Sequence, residues 1–224
     1  MSLTKSKGNM YPFVSHTWNP IRGRCPHQCS YCYMKKYKVG DLRLEFKELR
    51  TGLGSKNFIF VGSSTDMFSE SVYPGWINFV LEHCRKYPEN KYLFQSKNPG
   101  RFKKFVDKFP PDTILGTTIE TNIANLIVRY STSPLPYERV NHMMDLAFPK
   151  MISIEPIMEF DLKTMIDWIR MIAPEFVAIG ADSKGWKLEE PSPEKVLVLI
   201  AELKYITKVK IKKNLSRIVD LKLT

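Results

Sequence analysis

A chain of 224 residues with 43% apolar side chains is long enough to bury a full core and falls within reach of one α/β domain spanning residues 1–224. Lys plus Arg number 34 against 23 Asp plus Glu, a formal charge of +11 that suits an anionic partner such as nucleic acid and suits equally a Lys-rich solvated surface, since the basic residues are dispersed. Four cysteines, no apolar signal segment and no run near ~20 apolar residues argue against a disulfide framework and a membrane span, and set the expectation of a cytoplasmic protein with reduced thiols.

The first strand expected runs from Val14 to Ile21, and Cys25-Pro26-His27-Gln28-Cys29-Ser30-Tyr31-Cys32 follows it closely. Spaced C-x3-C-x2-C, three thiolates serve one compact metal centre; on a four-iron, four-sulfide cluster they leave one iron open to a small molecule. Structural zinc is the alternative, but it takes four ligands, commonly from two close pairs. Here there is one clustered set, with Cys84 the remaining cysteine and His16 or His27 as candidates to complete a tetrahedron.

Further strands are expected at Asn57 to Val61, Lys91 to Gln95, Thr113 to Thr117, Lys150 to Ile154, Phe176 to Ile179 and Lys208 to Ile211. Between them, apolar residues at helical spacing (Trp76, Phe79, Val80, His83 with Cys84; Met165, Trp168, Ile169, Ile172; Val196, Leu199, Ile200, Leu203) predict helices that cover a sheet. Repeated β-then-α units imply an α/β fold: a parallel (β/α) barrel, partial or complete.

In such folds ligands gather beyond the carboxyl ends of the strands. Polar residues stand there: the cysteine loop, Gly62-Ser63-Ser64-Thr65-Asp66, Ser96-Lys97-Asn98, Thr118-Ile119-Glu120, Glu155-Pro156, Gly180-Ala181-Asp182-Ser183 and Lys212-Lys213-Asn214. The same pattern at every strand end agrees with a single central site.

Over nearly its whole length the chain resembles the phage-associated radical S-adenosylmethionine (SAM) family of undefined function. The residues that carry the likeness are the cysteine motif with Tyr31, Thr17-Trp18-Asn19-Pro20, Asp66-Met67-Phe68-Ser69-Glu70 with Trp76, Ser153-Ile154-Glu155-Pro156 and the Lys212-Lys213-Asn214 ending. The core is similar, more distantly, to that of spore photoproduct lyase, a radical SAM enzyme acting on DNA. One departure stands out, since Gly180-Ala181-Asp182 occupies a place where such proteins more often show glycines and a Glu.

The resemblance implies a [4Fe-4S] cluster on Cys25, Cys29 and Cys32, with S-adenosyl-L-methionine chelating the open iron and cleaved to a 5′-deoxyadenosyl radical. It implies a flavodoxin- or ferredoxin-like reductant as well. SAM contacts are expected from Tyr31 on the adenine, from Ser63, Ser64 and Asp66 on the methionyl ammonium, from Thr118 and Glu120 on the ribose, and from Glu155 and Asp182.

Three of these have a plainer reading beside them. Tyr31 is then a core tyrosine, Asp66 a helix N-cap and Glu155 a turn carboxylate paired with a Lys. Lys97 and Lys213 meet a phosphate or the SAM carboxylate, or are solvated; Cys84 reads as a buried thiol, and His83 and His142 as helix residues without a partner. Two basic stretches, Lys35, Lys36, Lys38, Arg43, Lys47 and Arg50, and Lys204, Lys208, Lys210, Lys212, Lys213, Arg217 and Lys222, form a rim for nucleic acid if both flank the barrel mouth. A nucleic-acid-binding protein with a structural metal is the alternative to the enzyme.

Overall fold

The computed structural model describes residues 3–8 and 10–223. Thr4–Lys5 (β1) pairs antiparallel with His16–Trp18 (β2), and Ile21–Arg22 (β3) with Arg43–Leu44 (β4) forms a separate ribbon at the base of the cysteine loop. The single strand expected from Val14 to Ile21 is therefore broken, and Pro20, which lacks an N–H for a sheet ladder, stands at the break. The remaining strands lie within one residue of expectation: Phe58–Val61 (β5), Lys91–Gln95 (β6), Thr113–Thr118 (β7), Lys150–Ile154 (β8), Phe176–Ile179 (β9) and Lys208–Ile211 (β10).

The main sheet has the order β1-β2-β5-β6-β7-β8-β9-β10, with every pairing from β2 onward parallel. It ends at β1 and β10 without closing, so the α/β architecture is a partial barrel. The crossovers are Pro74–Arg85 (α1), a 3₁₀ helix at Pro99–Lys108, Ala124–Ile127 (α2) with Pro136–Met144 (α3), Leu162–Ile172 (α4) and Pro193–Lys204 (α5). Helix starts follow local chemistry. Asp161 accepts from the Thr164 N–H to open α4, and Ser192 accepts from Lys195 to open α5 just ahead of Pro193.

Strand side chains alternate between faces. On the outer face Ile59, Tyr92, Phe94, Leu115, Ile152 and Val177 pack against Ile77, Leu81, Met165, Ile169 and Leu199 of the helices. Phe60, Leu93, Ile114, Met151 and Ala178 point inward, where Tyr11, Phe13 and Val14 from the segment before β2 fill the hollow. A side chain as fully buried as Leu93 or Met151 contributes roughly 1.5–3 kcal/mol.

Two residues further along each strand the same inner face turns polar: Gln95 follows Leu93, Thr118 follows Gly116, Ser153 and Glu155 follow Met151, and Lys212 follows Lys210. Polarity thus rises from an apolar plug to a polar mouth at the carboxyl ends.

Candidate active site

A cavity of about 500 Å³ opens at that mouth. Cys25, Cys29 and Cys32 all line it, as do Tyr31, Ser63, Ser64, Asp66, Thr118, Glu155 and Asp182. Of the expected site residues only Glu120 is set behind the wall, fully buried. Among the described residues no three His, Cys, Asp or Glu side chains converge on a single-ion position.

The cysteine loop is built from consecutive tight turns, the Gln28, Cys32 and Lys35 amides donating to the Cys25, Cys29 and Cys32 carbonyls. Gly23 introduces it at φ 118°, where a Cβ would lie 2.3 Å from the Asp41 carbonyl oxygen, so only glycine fits. The segment after α2 laces one flank: Ser30 N donates to Tyr130 O at 2.7 Å and Thr132 N to His27 O at 2.9 Å.

On the other flank His27 Nε2 lies 2.8 Å from Asp66 Oδ2. Asp66 also accepts from Phe68 N, Ser96 Oγ and Lys97 N, four donors in all, which fills its ordinary acceptor capacity. Burial alone would raise its carboxyl pKa; the bonds and charge of His27 with the Lys97 and Ser96 donors outweigh it and hold the group below the usual range. Asp66 is thus committed to the cysteine loop. It caps the turn at Phe68, while Tyr73 occupies the N-cap of α1.

Behind Cys29 lies a buried ionic network that the sequence does not announce. Lys97 Nζ is 3.3 Å from Cys29 Sγ and 2.6 Å from Tyr31 OH, and it donates to Glu120 Oε1. Tyr31 OH donates to the same oxygen at 2.5 Å, and Arg139 Nη1 meets Glu120 Oε2 at 2.8 Å, with both Arg139 and Glu120 fully buried. Burial pushes the Glu120 carboxyl up, but Lys97 and Arg139 prevail and keep it well below the usual carboxylate range. Burial likewise disfavours the Lys97 ammonium, and the facing Cys29 and Glu120 reverse this.

The thiols differ. Burial, then the Asp66 charge, pushes Cys25 up to about 12, and burial raises Cys32; both must shed protons on binding a metal.

Across the cavity, Tyr11 OH donates to Ser153 Oγ at 2.8 Å and Gln95 Oε1 at 3.0 Å, and Gln95 in turn donates to Thr118 Oγ1. Glu155 accepts from Lys212 Nζ at 2.7 Å and from Asn214 Nδ2 at 3.2 Å, so it is a cavity-lining carboxylate and a lysine-paired one at once. Ser63 Oγ and Ser64 N both donate to Asn19 Oδ1, while Asp182 receives the Lys184 and Trp186 amides.

A Cβ on Gly180 would come within 2.9 Å of the Glu155 carboxylate and 3.0 Å of Asn214. Gly180→Ala is therefore expected to cost about 1–3 kcal/mol as overpacking, read as a lowered denaturation midpoint; an unchanged midpoint would show that Glu155 yields freely.

One expectation changes, and two open alternatives are decided. His83 has a partner, since its Nε2 lies 2.8 Å from the Thr51 carbonyl oxygen. Lys212 faces the cavity in place of Lys213, which is exposed. The C-terminal basic stretch does not flank the mouth as a unit: Lys204 and Lys208 sit at the opposite end, and Lys210 lies 4.4 Å from the Phe13 ring centroid in the apolar plug. Cys84 is a buried thiol in the outer core, as its helical face predicts. Arg139, Tyr11 and Gln95 were not foreseen. The signal for Arg139 was its place among Pro136, Val140 and Met143 on one helical face.

No curated protein matches the sequence. Solved structures are similar in fold. A spore photoproduct lyase variant with dinucleoside spore photoproduct is 9% identical with a TM-score of 0.62, over 92% of this chain and 66% of that one. A second variant, with bound AdoMet and dinucleoside spore photoproduct, is 9% identical with a TM-score of 0.58 over the same shares, 92% and 66%. Streptococcus suis SuiB bound to precursor peptide SuiA is 9% identical with a TM-score of 0.63, over 90% of this chain and 49% of that one. The chain thus spans just under two thirds of the lyase chains and about half of SuiB. These likenesses establish a radical SAM-like fold. A family model described as a protein of unknown function (DUF5131) matches residues 35–183, starting just beyond the cysteine motif, and on that match the chain belongs to the DUF5131 family.

Proposed function

We propose that the chain is a single-domain, cytoplasmic radical SAM enzyme of the phage-associated kind its motifs resemble. On this reading Cys25, Cys29 and Cys32 hold a [4Fe-4S] cluster and S-adenosyl-L-methionine binds beside it. The observation that carries the reading is the placement of all three C-x3-C-x2-C thiols on one cavity at the carboxyl ends of a parallel sheet. The donor set fits. Structural zinc takes four ligands, commonly from two close pairs, whereas the thiols on this cavity come from one clustered set of three. A structural zinc is accordingly the weaker reading.

When bound, cluster and SAM together supply a 5′-deoxyadenosyl radical that removes a hydrogen atom from a substrate. The chain's own residues hold and shape the site. Asp66 orients the cysteine loop through His27, and so acts on the cofactors at one remove. Lys97, with its hydrogen bond toward Cys29 and its face on the cavity, places a cation beside the thiolates. Tyr31 is fixed by Glu120 and Lys97 with its ring on the cavity wall, and Ser63, Ser64, Thr118, Glu155 and Asp182 offer polar groups around SAM. Tyr11, Gln95 and Ser153 form the floor on which a substrate would rest. A small flavodoxin- or ferredoxin-like protein is the proposed reductant.

Protein reconstituted with iron and sulfide under anaerobic conditions should, with dithionite, cleave SAM slowly to methionine and 5′-deoxyadenosine without substrate. Failure to form deoxyadenosine while electron paramagnetic resonance shows a reduced cluster would overturn the proposal.

A further inference from the structure

The rim of the cavity carries features that the cofactor reading leaves unused. On the side of the cysteine loop, Tyr33 and Tyr37 line the cavity while remaining 41% and 61% exposed. Tyr33 OH donates to the Ser63 carbonyl at 2.8 Å, which fixes its ring at the edge. Around them stand exposed Lys35, Lys36 and Lys38, with Asp41 the only acid between residues 31 and 44. On the side of β9, the loop that Asp182 ties down through the Lys184 and Trp186 amides presents Trp186, 36% exposed, between Lys184 and Lys187. Lys7 and Lys184 line the cavity themselves.

None of Lys7, Lys35, Lys36, Lys38, Lys184 and Lys187 is in an ion pair among the described residues. Surface cations away from the mouth do pair, as in Lys91 with Asp112, Lys103 with Asp145, and Lys163 with Asp167. Of the carboxylates lining the cavity, Glu155 pairs with Lys212, Asp66 lies 2.8 Å from His27 Nε2, and Asp182 receives the Lys184 and Trp186 amides. The mouth is therefore net positive and carries aromatic planes on two of its loops.

Unpaired lysines that track a backbone, alternating with aromatic faces that stack bases, are the chemistry of a single-stranded nucleic-acid groove. We propose that the mouth binds a single polynucleotide strand, seated on Tyr37 and Trp186 with its phosphates against Lys35, Lys38 and Lys184, so that one nucleoside enters the cavity. A duplex would first have to release a base from its stack. That the strand is the substrate rests on the radical reading above; the binding stands on the surface alone.

The test is anaerobic fluorescence anisotropy on the reconstituted full chain, using labelled single-stranded DNA, single-stranded RNA, duplex DNA and, as a purely anionic control, polyglutamate. A single strand is expected to bind more tightly than duplex. Its log affinity should fall with log salt by about 0.7 per phosphate engaged, and the DNA and RNA arms decide which sugar is preferred. Tyr37→Ala and Trp186→Ala should each weaken binding about tenfold with the salt slope unchanged, whereas Lys35→Gln with Lys38→Gln should flatten the slope.

Binding absent at low salt, binding indifferent to all four substitutions, or polyglutamate binding as well as either strand would overturn the proposal. SAM cleavage by the unaltered protein is scored in parallel. Strand binding without cleavage would sink the radical reading and leave the strand site standing, and cleavage without strand binding would do the reverse.

Discussion

Arg139→Met is expected to lower stability by about 3–5 kcal/mol, since it removes one of the two cations on a buried carboxylate and strips the donor from the Pro134 and Thr118 carbonyls and the Ser133 hydroxyl. Arg139 is 0% exposed, and all three guanidinium nitrogens are engaged: Nε with Pro134 O, Nη1 with Thr118 O and Glu120 Oε2, Nη2 with Ser133 Oγ. Glu120 would retain Lys97 and Tyr31 on its other oxygen, which lie toward the cavity. Because both residues serve one network, Glu120→Gln combined with Arg139→Met should cost less than the two single losses added together. Urea titration of the single and double variants measures this, and strict additivity would show that the contact carries no energy of its own.

The same carboxylate gives the network a pH limit. Its native pKa is depressed relative to the unfolded chain, so the native state binds its proton less readily. The stabilisation is then complete above the ordinary glutamate value of about 4.3 and is lost as pH falls from there toward the lower native value. Glu120→Gln should remove that part of the acid limb, and Glu120→Asp, with a shorter reach, should keep it at reduced amplitude.

Why this network escaped the sequence while the cysteine site did not is a matter of range. Cys25, Cys29 and Cys32 announce themselves because eight consecutive residues hold all three ligands, and the strand ends were found because short apolar runs such as Tyr92-Leu93-Phe94, bounded by Lys91 and Gln95, report their own boundaries. Arg139 and Glu120 are 19 residues apart, on α3 and after β7, and only the packing of that helix on that strand brings them together. A long-range pair leaves no local trace, apart from an arginine on an apolar face.

Lys212 is a different case. The run Lys208-Val209-Lys210-Ile211-Lys212 alternates strictly, so its three lysines share the inner face and Lys213 falls outside it. That register was readable. The role of Tyr11 was not, because nothing in Tyr11-Pro12-Phe13-Val14 says that the segment turns back into the hollow of the sheet, where Tyr11 reaches Ser153 across 142 positions.

Cys29→Ala is expected to abolish iron and sulfide binding while leaving the fold intact, and the structure says why the two effects separate. The Cys29 sulfur touches Ser131 Oγ at 3.2 Å and Lys97 Nζ at 3.3 Å, contacts at the top of the barrel with no part in the sheet or its outer core. The loop keeps its course through Gly23, through the Ser30 and Thr132 bonds to its neighbour segment, and through His27 on Asp66. Circular dichroism and the urea midpoint should stay near those of the unaltered protein. Asp66→Ala makes the complementary case. It leaves all three thiols in place but frees His27 and the Lys97 amide, so metal affinity should fall by about 10–100-fold, as when an outer-shell partner is removed. Under this arrangement Asp66→Ala loses iron and SAM together. Loss of SAM binding at full iron content would instead return Asp66 to direct contact with the methionyl ammonium, and full iron in Cys29→Ala would take the cluster away from these thiolates.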